Sequence, residues 1–383
     1  MLRSQQNIRP VAYGLALYFL LTPMDCFSLG EIGSVLRIAA LIPLGLMLLE
    51  LRTMSLRINN LFAVHLLFWF LAMVSLFYSI DQNRTLTALS SLSMNYFLIL
   101  AVGHMQTYHQ REIALLKRAM LWSSWLTVAL LFVFSGGFSV DERLTLNMGG
   151  KAQDGNYING YFLYAFSYHC NRLFRDMKLR HGFLVVLLLG IVLMTGSRGA
   201  LAAFLLCLLV HMFLFLKDTR NPVRNFAVLI FVLTALSIAF ELILQRLPEN
   251  ISVRFSWDYL MEKGTIGRSR VWRYLWNHFL NSSLFRMLFG NGYGTSAIVN
   301  QLNGLVAHNL YLDNLITVGV IGLCAQVVMQ ATIAIQMAKK KEWAAFGAYA
   351  GMIGMYMSLS MLTYKPLWNL VILTMAVTNQ RKD

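Results

Sequence analysis

Apolar stretches long enough to cross a bilayer recur from one end of this 383-residue chain to the other, and they constrain its fold more than any motif does. A spanning helix needs about 20 mostly apolar residues. Runs of this kind, separated by charged breaks, occupy 11–29, 33–50, 60–79, 86–103, 113–134, 157–170, 182–196, 199–216, 225–244, 308–336, 343–361 and 366–378. Composition agrees. Hydrophobic residues make up 57% of the chain and charged residues 13%, about half the charged share of a soluble domain, and the mean hydropathy is +0.58. So few charges cannot cover a water-facing surface. The expected fold class is an all-α polytopic membrane protein of about twelve transmembrane helices, forming a single transmembrane domain over residues 1–383.

The first apolar segment leads into further spans and has no small-residue cleavage site, so it reads as a retained helix rather than a removed signal peptide. The four cysteines, Cys26, Cys170, Cys207 and Cys324, are scattered in or beside apolar segments with no CxxC spacing. They read as small hydrophobes, not as a disulfide framework or zinc site. Gly160 and Gly190 fall in the short sixth and seventh spans, where glycine permits kinks or close helix packing.

Charge tests the layout, because cytoplasmic loops of membrane proteins are enriched in Lys and Arg. With Arg3 and Arg9 inside, the inward connections carry Arg52 and Arg57; Arg111, Lys117 and Arg118; Arg172, Arg175, Lys178 and Arg180; Lys217, Arg220 and Arg224; Lys339, Lys340 and Lys341; and the tail has Arg381 and Lys382. Nineteen of the 32 Lys and Arg residues are thereby placed inside. The short outward loops carry few, among them Arg84, Arg143, Lys151 and Lys365. An even number of spans puts both termini in the cytoplasm.

One outward segment departs from this rule. The loop over residues 245–307 carries Arg246, Arg254, Lys263, Arg268, Arg270, Arg273 and Arg286 against Glu249, Asp258 and Glu262. Such a loop is at the length limit of the charge rule, so a solvated domain with incidental charge is one reading. The other is a basic surface for an anionic ligand just outside the bilayer, with phosphate the nearest candidate. Within the loop, RSRVWRYLWNHFL (268–280) repeats Val271, Trp272, Leu275, Trp276 and Phe279 at helical spacing, which predicts an amphipathic helix. That helix either lies in the membrane interface or packs its apolar face onto the spanning bundle. LFGNGYGTS (288–296) follows, with three glycines that allow a tight turn but without the GK[ST] of a phosphate loop.

AHNLYLDNLITVGVIG (307–322) then puts His308 and Asn309 at the outer end of the tenth span. The pair is readable as a neutral helix cap, or His308 as a general base that nearby positive charge keeps neutral. GSRGA puts Arg198 at the outward hairpin between spans seven and eight, where a charge is expensive unless paired or functional. The outward loop 135–156 adds Arg143, Asp154 and Asn156 in a Gly-rich setting expected to form a structured cover. For Arg143 an ordinary surface ion pair is the simpler account.

DERLTLNMGGKAQDGN, GSRGALAAF, Gly267-Arg268 with Trp272 four residues on, and HNLYLDNLITVGVIG occur in this order at the ends of the expected spans. Together with the long outward loop, this set resembles the O-antigen ligase and polysaccharide polymerase superfamily, which includes the Wzy-type polymerases, over roughly residues 130–330. The resemblance implies a GT-C-like membrane fold and a metal-independent, inverting glycosyltransferase without a cofactor. Its donor would be a glycan on undecaprenyl diphosphate. By this resemblance Arg198 and Arg268 match the arginines that hold the diphosphate, and His308 matches the catalytic histidine. Arg143, Asn156, Arg270 and Asn309 are weaker candidates for donor or glycan contact. The resemblance also implies an inner-membrane location with an extracytoplasmic active site, a chain-length regulator and a flippase as partners, and no role for nucleic acid. The chemistry is consistent. A lipid diphosphate needs charge stabilisation to depart, bidentate arginines supply it, and the outward segments have no DxD pair. The stretch from DERLTLNMGG to DGNY, with the NGYG turn, favours a capsule or exopolysaccharide polymerase over a ligase acting on a lipid A core. A transporter would show two repeated halves with its long loop at the midpoint; the long loop here lies between spans nine and ten.

Overall fold

The computed structural model describes residues 8–27, 34–50, 58–103, 107–135, 143–148, 151–153, 155–217, 221–256, 258–259, 266–301, 306–360 and 362–380. Arg3, Arg52, Arg57, Asp154, Arg220, Glu262, Lys263, Arg381 and Lys382 lie outside the described residues.

A helix coincides with each of the twelve apolar segments. They are α1 (Pro10–Leu20), α2 (Val35–Leu49), α3 (Asn60–Val74), α4 (Gln82–Gly103), α5 (Gln110–Val133), α6 (Gly155–Asp176), α7 (Leu179–Met194), α8 (Arg198–Leu216) and α9 (Pro222–Leu244). The long loop includes the helices α10 (Glu249–Ser252), α11 (Ile266–Leu280), α12 (Leu284–Phe289) and α13 (Ser296–Val299). α14 (Leu310–Lys339), α15 (Trp343–Met355) and α16 (Lys365–Thr378) complete the chain. Among the described residues, six helices are long and apolar enough to cross a membrane: α3 with its following 3-10 turn, α4, α5, α8, α9 and α14. The chain is thus an all-α polytopic membrane protein, with one two-stranded exception: β1 (Leu146–Met148) pairs antiparallel with β2 (Lys151–Gln153).

Three boundaries differ from expectation for physical reasons. α1 stops at Leu20, because Thr22-Pro23 opens a 3-10 turn through Cys26. α6 runs well past residue 170. Its polar C-terminal half is helical because Leu173 and Phe174 are buried in the bundle and Arg172 pairs with Asp176 one turn on, at 3.0 Å. α14 is broken rather than continuous. Gly319 adopts φ 68° and ψ −171°, so the first nine residues form a separate short helix, and glycine is a recognised cause of such a break.

α6 runs through the centre of the bundle, packed on α5, α8 and α15. Lipid offers no hydrophobic drive between helices, so close approach depends on small residues. Gly347 and Gly351 of α15 supply it, seating against Ser167, His211 and the carbonyl of Ala203. Gly160 likewise receives Tyr364, whose hydroxyl donates to the carbonyl of Tyr157 at 2.5 Å. Gly190 is not used this way, as the nearest outside atom to its side-chain position is 3.6 Å off.

Polar contacts sort the connections into two ends of the bundle. At one end Arg9 grips Glu112 with two guanidinium bonds (2.7 and 2.6 Å). Tyr108 N–H donates to Asn379 O at 3.0 Å, Asn59 bonds Asn379 at 3.1 Å, and Lys117 pairs with Glu342 at 2.6 Å. Segments that the charge pattern assigns to one side of the membrane therefore lie together. The long loop, the β1–β2 hairpin and the α7–α8 turn occupy the other end.

There backbone-to-backbone bonds join the loop to the bundle. Asn291 and Gly292 donate their N–H groups to the carbonyls of Ile316 (3.0 Å) and Thr317 (2.9 Å), just before the break at Gly319. Asn291 adds a side-chain bond to Ile316 O at 3.0 Å. A Cβ at Gly290 would overlap the Thr317 carbonyl, and one at Gly319 would overlap that of Leu288. Both glycines have positive φ. Gly290→Ala is therefore expected to cost about 1–3 kcal/mol from the backbone conformation alone, read as a lowered thermal unfolding midpoint in detergent. Gly190→Ala, in a helix with open space, is expected to be neutral or stabilising by up to about 1 kcal/mol.

Candidate active site

The site begins at the turn between α7 and α8. Gly196 has φ 62°, and Ser197 caps α8 by accepting from Ala200 N–H at 3.2 Å. Two residues singled out in the sequence hold this turn. Arg143 donates to the carbonyls of Thr195 (3.1 Å) and Gly196 (3.2 Å), and Asn156 accepts from the Ser197 hydroxyl. The next residue, Leu144, donates to Met194 O at 3.0 Å, fastening the base of the hairpin to the turn. The cover expected over 135–156 is thus structured in its described part.

Arg198 is the first residue of α8. Its guanidinium lies over the ring of Tyr259, 5.3 Å from the centroid, in the range of a cation–π contact. Its charge is opposed by those of Arg254 and Arg268. Arg254 also leans on the turn, its Cδ 3.5 Å from the point where a Cβ on Gly196 would sit, with Arg143 Nε at 3.0 Å from the same point. Three arginines from separate segments, Arg143, Arg198 and Arg254, therefore meet at one turn, and Arg268 lies within electrostatic range of Arg198. The Nε of Arg254 is buried and has no hydrogen-bond partner among the described residues. Gathered guanidiniums raise each other's energy, and an anion that accepts several charge-assisted bonds relieves this. Arg254 escaped the sequence analysis because its loop holds seven basic residues and no spacing marks one above the rest.

α11 decides the alternative left open for the amphipathic helix. Val271 and Leu275 are buried, Leu275 completely, and form a small core with Val299, Ala307 and Ile316. The apolar face therefore packs on the bundle, while Trp276 is 48% exposed. Trp272 donates its indole N–H to the carbonyl of Ala307 at 2.7 Å. Arg268 lies one turn earlier on the same face, so this bond ties the arginine helix to the residue before His308. Arg270 is exposed and lies about 200° around the helix from Arg268; it does not join the cluster.

His308 has φ 50°, a left-handed conformation that costs a non-glycine residue about 1–2 kcal/mol. The bonds on either side hold it there. Ala307 O is taken by Trp272, Asn309 N–H donates to Ser360 Oγ at 3.1 Å, and Leu310 N–H donates to Tyr356 O at 2.9 Å. Strain held in this way is a feature of functional sites. Ser358, between the last two anchors, packs against Gly199, next to Arg198. Asn309 is a helix cap: its Oδ1 accepts from Tyr311 N–H (3.0 Å) and Leu312 N–H (3.2 Å).

The comparison with known families bears on these residues directly. Residues 183–327 match the family model described as O-antigen ligase. The match covers less than half of the chain but includes Arg198, Arg254, Arg268 and His308, and it supports the resemblance to the O-antigen ligase and polymerase superfamily. Arg143 and Asn156 lie before the matched segment. No curated protein matches the chain.

The cap on α14 gives a direct test of Asn309. Asn309→Ala is expected to lose about 1 kcal/mol of stability, and Asn309→Ser to retain most of it. Measured side by side, unfolding midpoint and activity should fall together in the first variant and stay together in the second. A loss of activity in Asn309→Ser at full stability would instead mean that Asn309 contacts substrate.

Proposed function

We propose that the chain is a membrane glycosyltransferase that polymerises oligosaccharide repeat units carried on undecaprenyl diphosphate, at the extracytoplasmic face of the inner membrane. The observation that carries this reading is the meeting of Arg143, Arg198 and Arg254 at the α7–α8 turn, with Arg268 in electrostatic range and its helix α11 bonded to the residue before His308. Four fixed cations suit a diphosphate, which spreads negative charge over several oxygens and gains more as it departs. The match to the O-antigen ligase family supports the same donor chemistry.

In this mechanism His308 accepts the proton of the acceptor sugar hydroxyl. The freed oxygen attacks the anomeric carbon of the donor from the face opposite the diphosphate. The bond from that carbon to the phosphate oxygen breaks, and its electron pair leaves with undecaprenyl diphosphate. One glycosidic bond forms with inversion, and the arginines neutralise the leaving group without a metal or cofactor. Transfer to a lipid A core, the ligase reaction, uses the same steps with a different acceptor. The pattern from Asp141 to Tyr157 and the NGYG turn at 291–294 favour the polymerase. A flippase that delivers the donor and a chain-length regulator would be its partners, and both termini would lie in the cytoplasm.

Arg198→Ala, Arg254→Ala, Arg268→Ala and His308→Ala are each expected to lower transfer at least about 100-fold, the scale on which one oxyanion-stabilising donor is lost. The assay supplies purified undecaprenyl-diphosphate repeat units to the protein in lipid discs and follows the glycan ladder, with membrane insertion checked separately. EDTA is expected to leave the wild-type rate unchanged. A ladder of normal length and rate from all four variants would overturn the site assignment, and inhibition by EDTA would overturn the metal-free mechanism.

A further inference from the structure

A second cavity, of about 500 Å³, opens beside the His308 segment. Its walls are α4, which supplies Arg84, Thr87 and Ser91, and the first half of α14, which supplies Asp313 and Asn314, with buried Tyr293 between them. Its volume falls within the range of small-molecule sites, roughly 300–1,000 Å³. Val306, Leu310 and Ser360 also line it. His308 thus lies between two lining residues in sequence, and its neighbour Asn309 is bonded to a third.

The lining distinguishes this cavity from the arginine cluster. Arg84 and Asp313 lie within electrostatic range of each other, so the walls bring one charge of each sign. Hydroxyl and amide groups supply most of the remaining polar lining. Such a surface does not favour a diphosphate. It suits a neutral ligand dense in hydroxyl groups, each of which both donates and accepts a hydrogen bond. Asp313 supplies the most specific observation. Ser296 and the backbone of Ala307 hold its carboxylate, yet its Oδ1 is buried with no hydrogen-bond partner among the described residues. An unmet buried acceptor is expensive, and a sugar hydroxyl would satisfy it. Tyr293 provides an apolar face for the carbon skeleton.

We infer that this cavity is a carbohydrate subsite that holds the acceptor glycan, with Asp313 and Arg84 gripping its hydroxyls so that one of them reaches His308. The assignment of the glycan as acceptor rests on the transferase reading; the binding of carbohydrate does not. The cavity would accept the sugar itself, independent of lipid and diphosphate, and so set which glycan is extended.

The test uses the full-length protein in lipid discs with Cys324→Ser, which removes the exposed native cysteine, and Thr87→Cys, which puts a thiol on the cavity wall. The probe is a set of oligosaccharides released by partial acid hydrolysis of the source strain's surface polysaccharide, free of lipid and phosphate. At about ten times its Kd the probe is expected to slow maleimide labelling of the new thiol roughly tenfold. Asp313→Asn is expected to abolish this protection. Arg198→Ala and Arg268→Ala are expected to keep it, because the probe has no diphosphate. Thr87→Trp, on the exposed side of α4 and clear of the buried core, is expected to raise the acceptor KM at least about tenfold with the donor KM unchanged. Absence of protection in the wild-type background at any probe concentration would overturn the inference, and so would its loss in the two arginine variants. Protection in a protein that forms no glycan ladder would uphold the carbohydrate site and defeat the transferase reading.

Discussion

The helix break at Gly319 is the constraint on which the rest of the outer end depends. An interrupted helix frees carbonyls that cannot be left bare at membrane depth, and irregular backbone survives there only where protein covers it. The Gly290–Gly292 segment is that cover. Its N–H groups take the carbonyls of Ile316 and Thr317, and no side chain fits between the two backbones. The same segment is held from the other side: Ile80 N–H donates to Asn291 O at 3.0 Å, Tyr78 donates to Phe289 O at 2.8 Å, and Arg286 returns a bond to Tyr78 O at 2.8 Å. The first half of α14 is thereby set at its own angle, and with it His308, Asp313 and the Ile316 contact for α11.

Much of this architecture was legible in the sequence, and what was not has identifiable causes. The twelve apolar segments each hold a helix because apolar length is a direct physical requirement of the bilayer. Arg198 stood out because a charge at the end of a spanning segment is costly and therefore conspicuous. The break at Gly319 did not stand out, since TVGVIG is apolar throughout and one glycine within a span is ordinary. Nor did the left-handed backbone of His308, which is imposed by anchors distant in sequence. Asn309 was read as a possible substrate contact and as a cap, and the hydrogen bonds fit the cap.

Charged residues show the same division between local and tertiary information. Lys365, counted with the loop cations, is buried and donates to Asn95 at 2.9 Å. Asp25, one of the few acidic residues near a spanning segment, accepts from Ser34 (2.8 Å) and Tyr157 (2.9 Å). Glu112 is fully buried under Arg9. Each partner lies far along the chain from the other, except for Ser34, so spacing could not reveal them. Arg254 belongs with these. It shares the Gly196 turn with Arg143 and Arg198, a proximity that only the folded loop creates.

The short stretch after α15 acts as a gauge. Tyr356 and Ser360 anchor Leu310 and Asn309, and Ser358 between them bears on Gly199. The histidine wall and the arginine wall are thus referenced to the same five residues, with only one residue, at most about 7 Å of chain, between one anchor and the next. Divergence in the long loop outside the Gly290–Gly292 segment and the arginine positions can therefore leave the spacing of these two walls alone. An insertion or deletion of a single residue between Tyr356 and Ser360 would change that spacing itself.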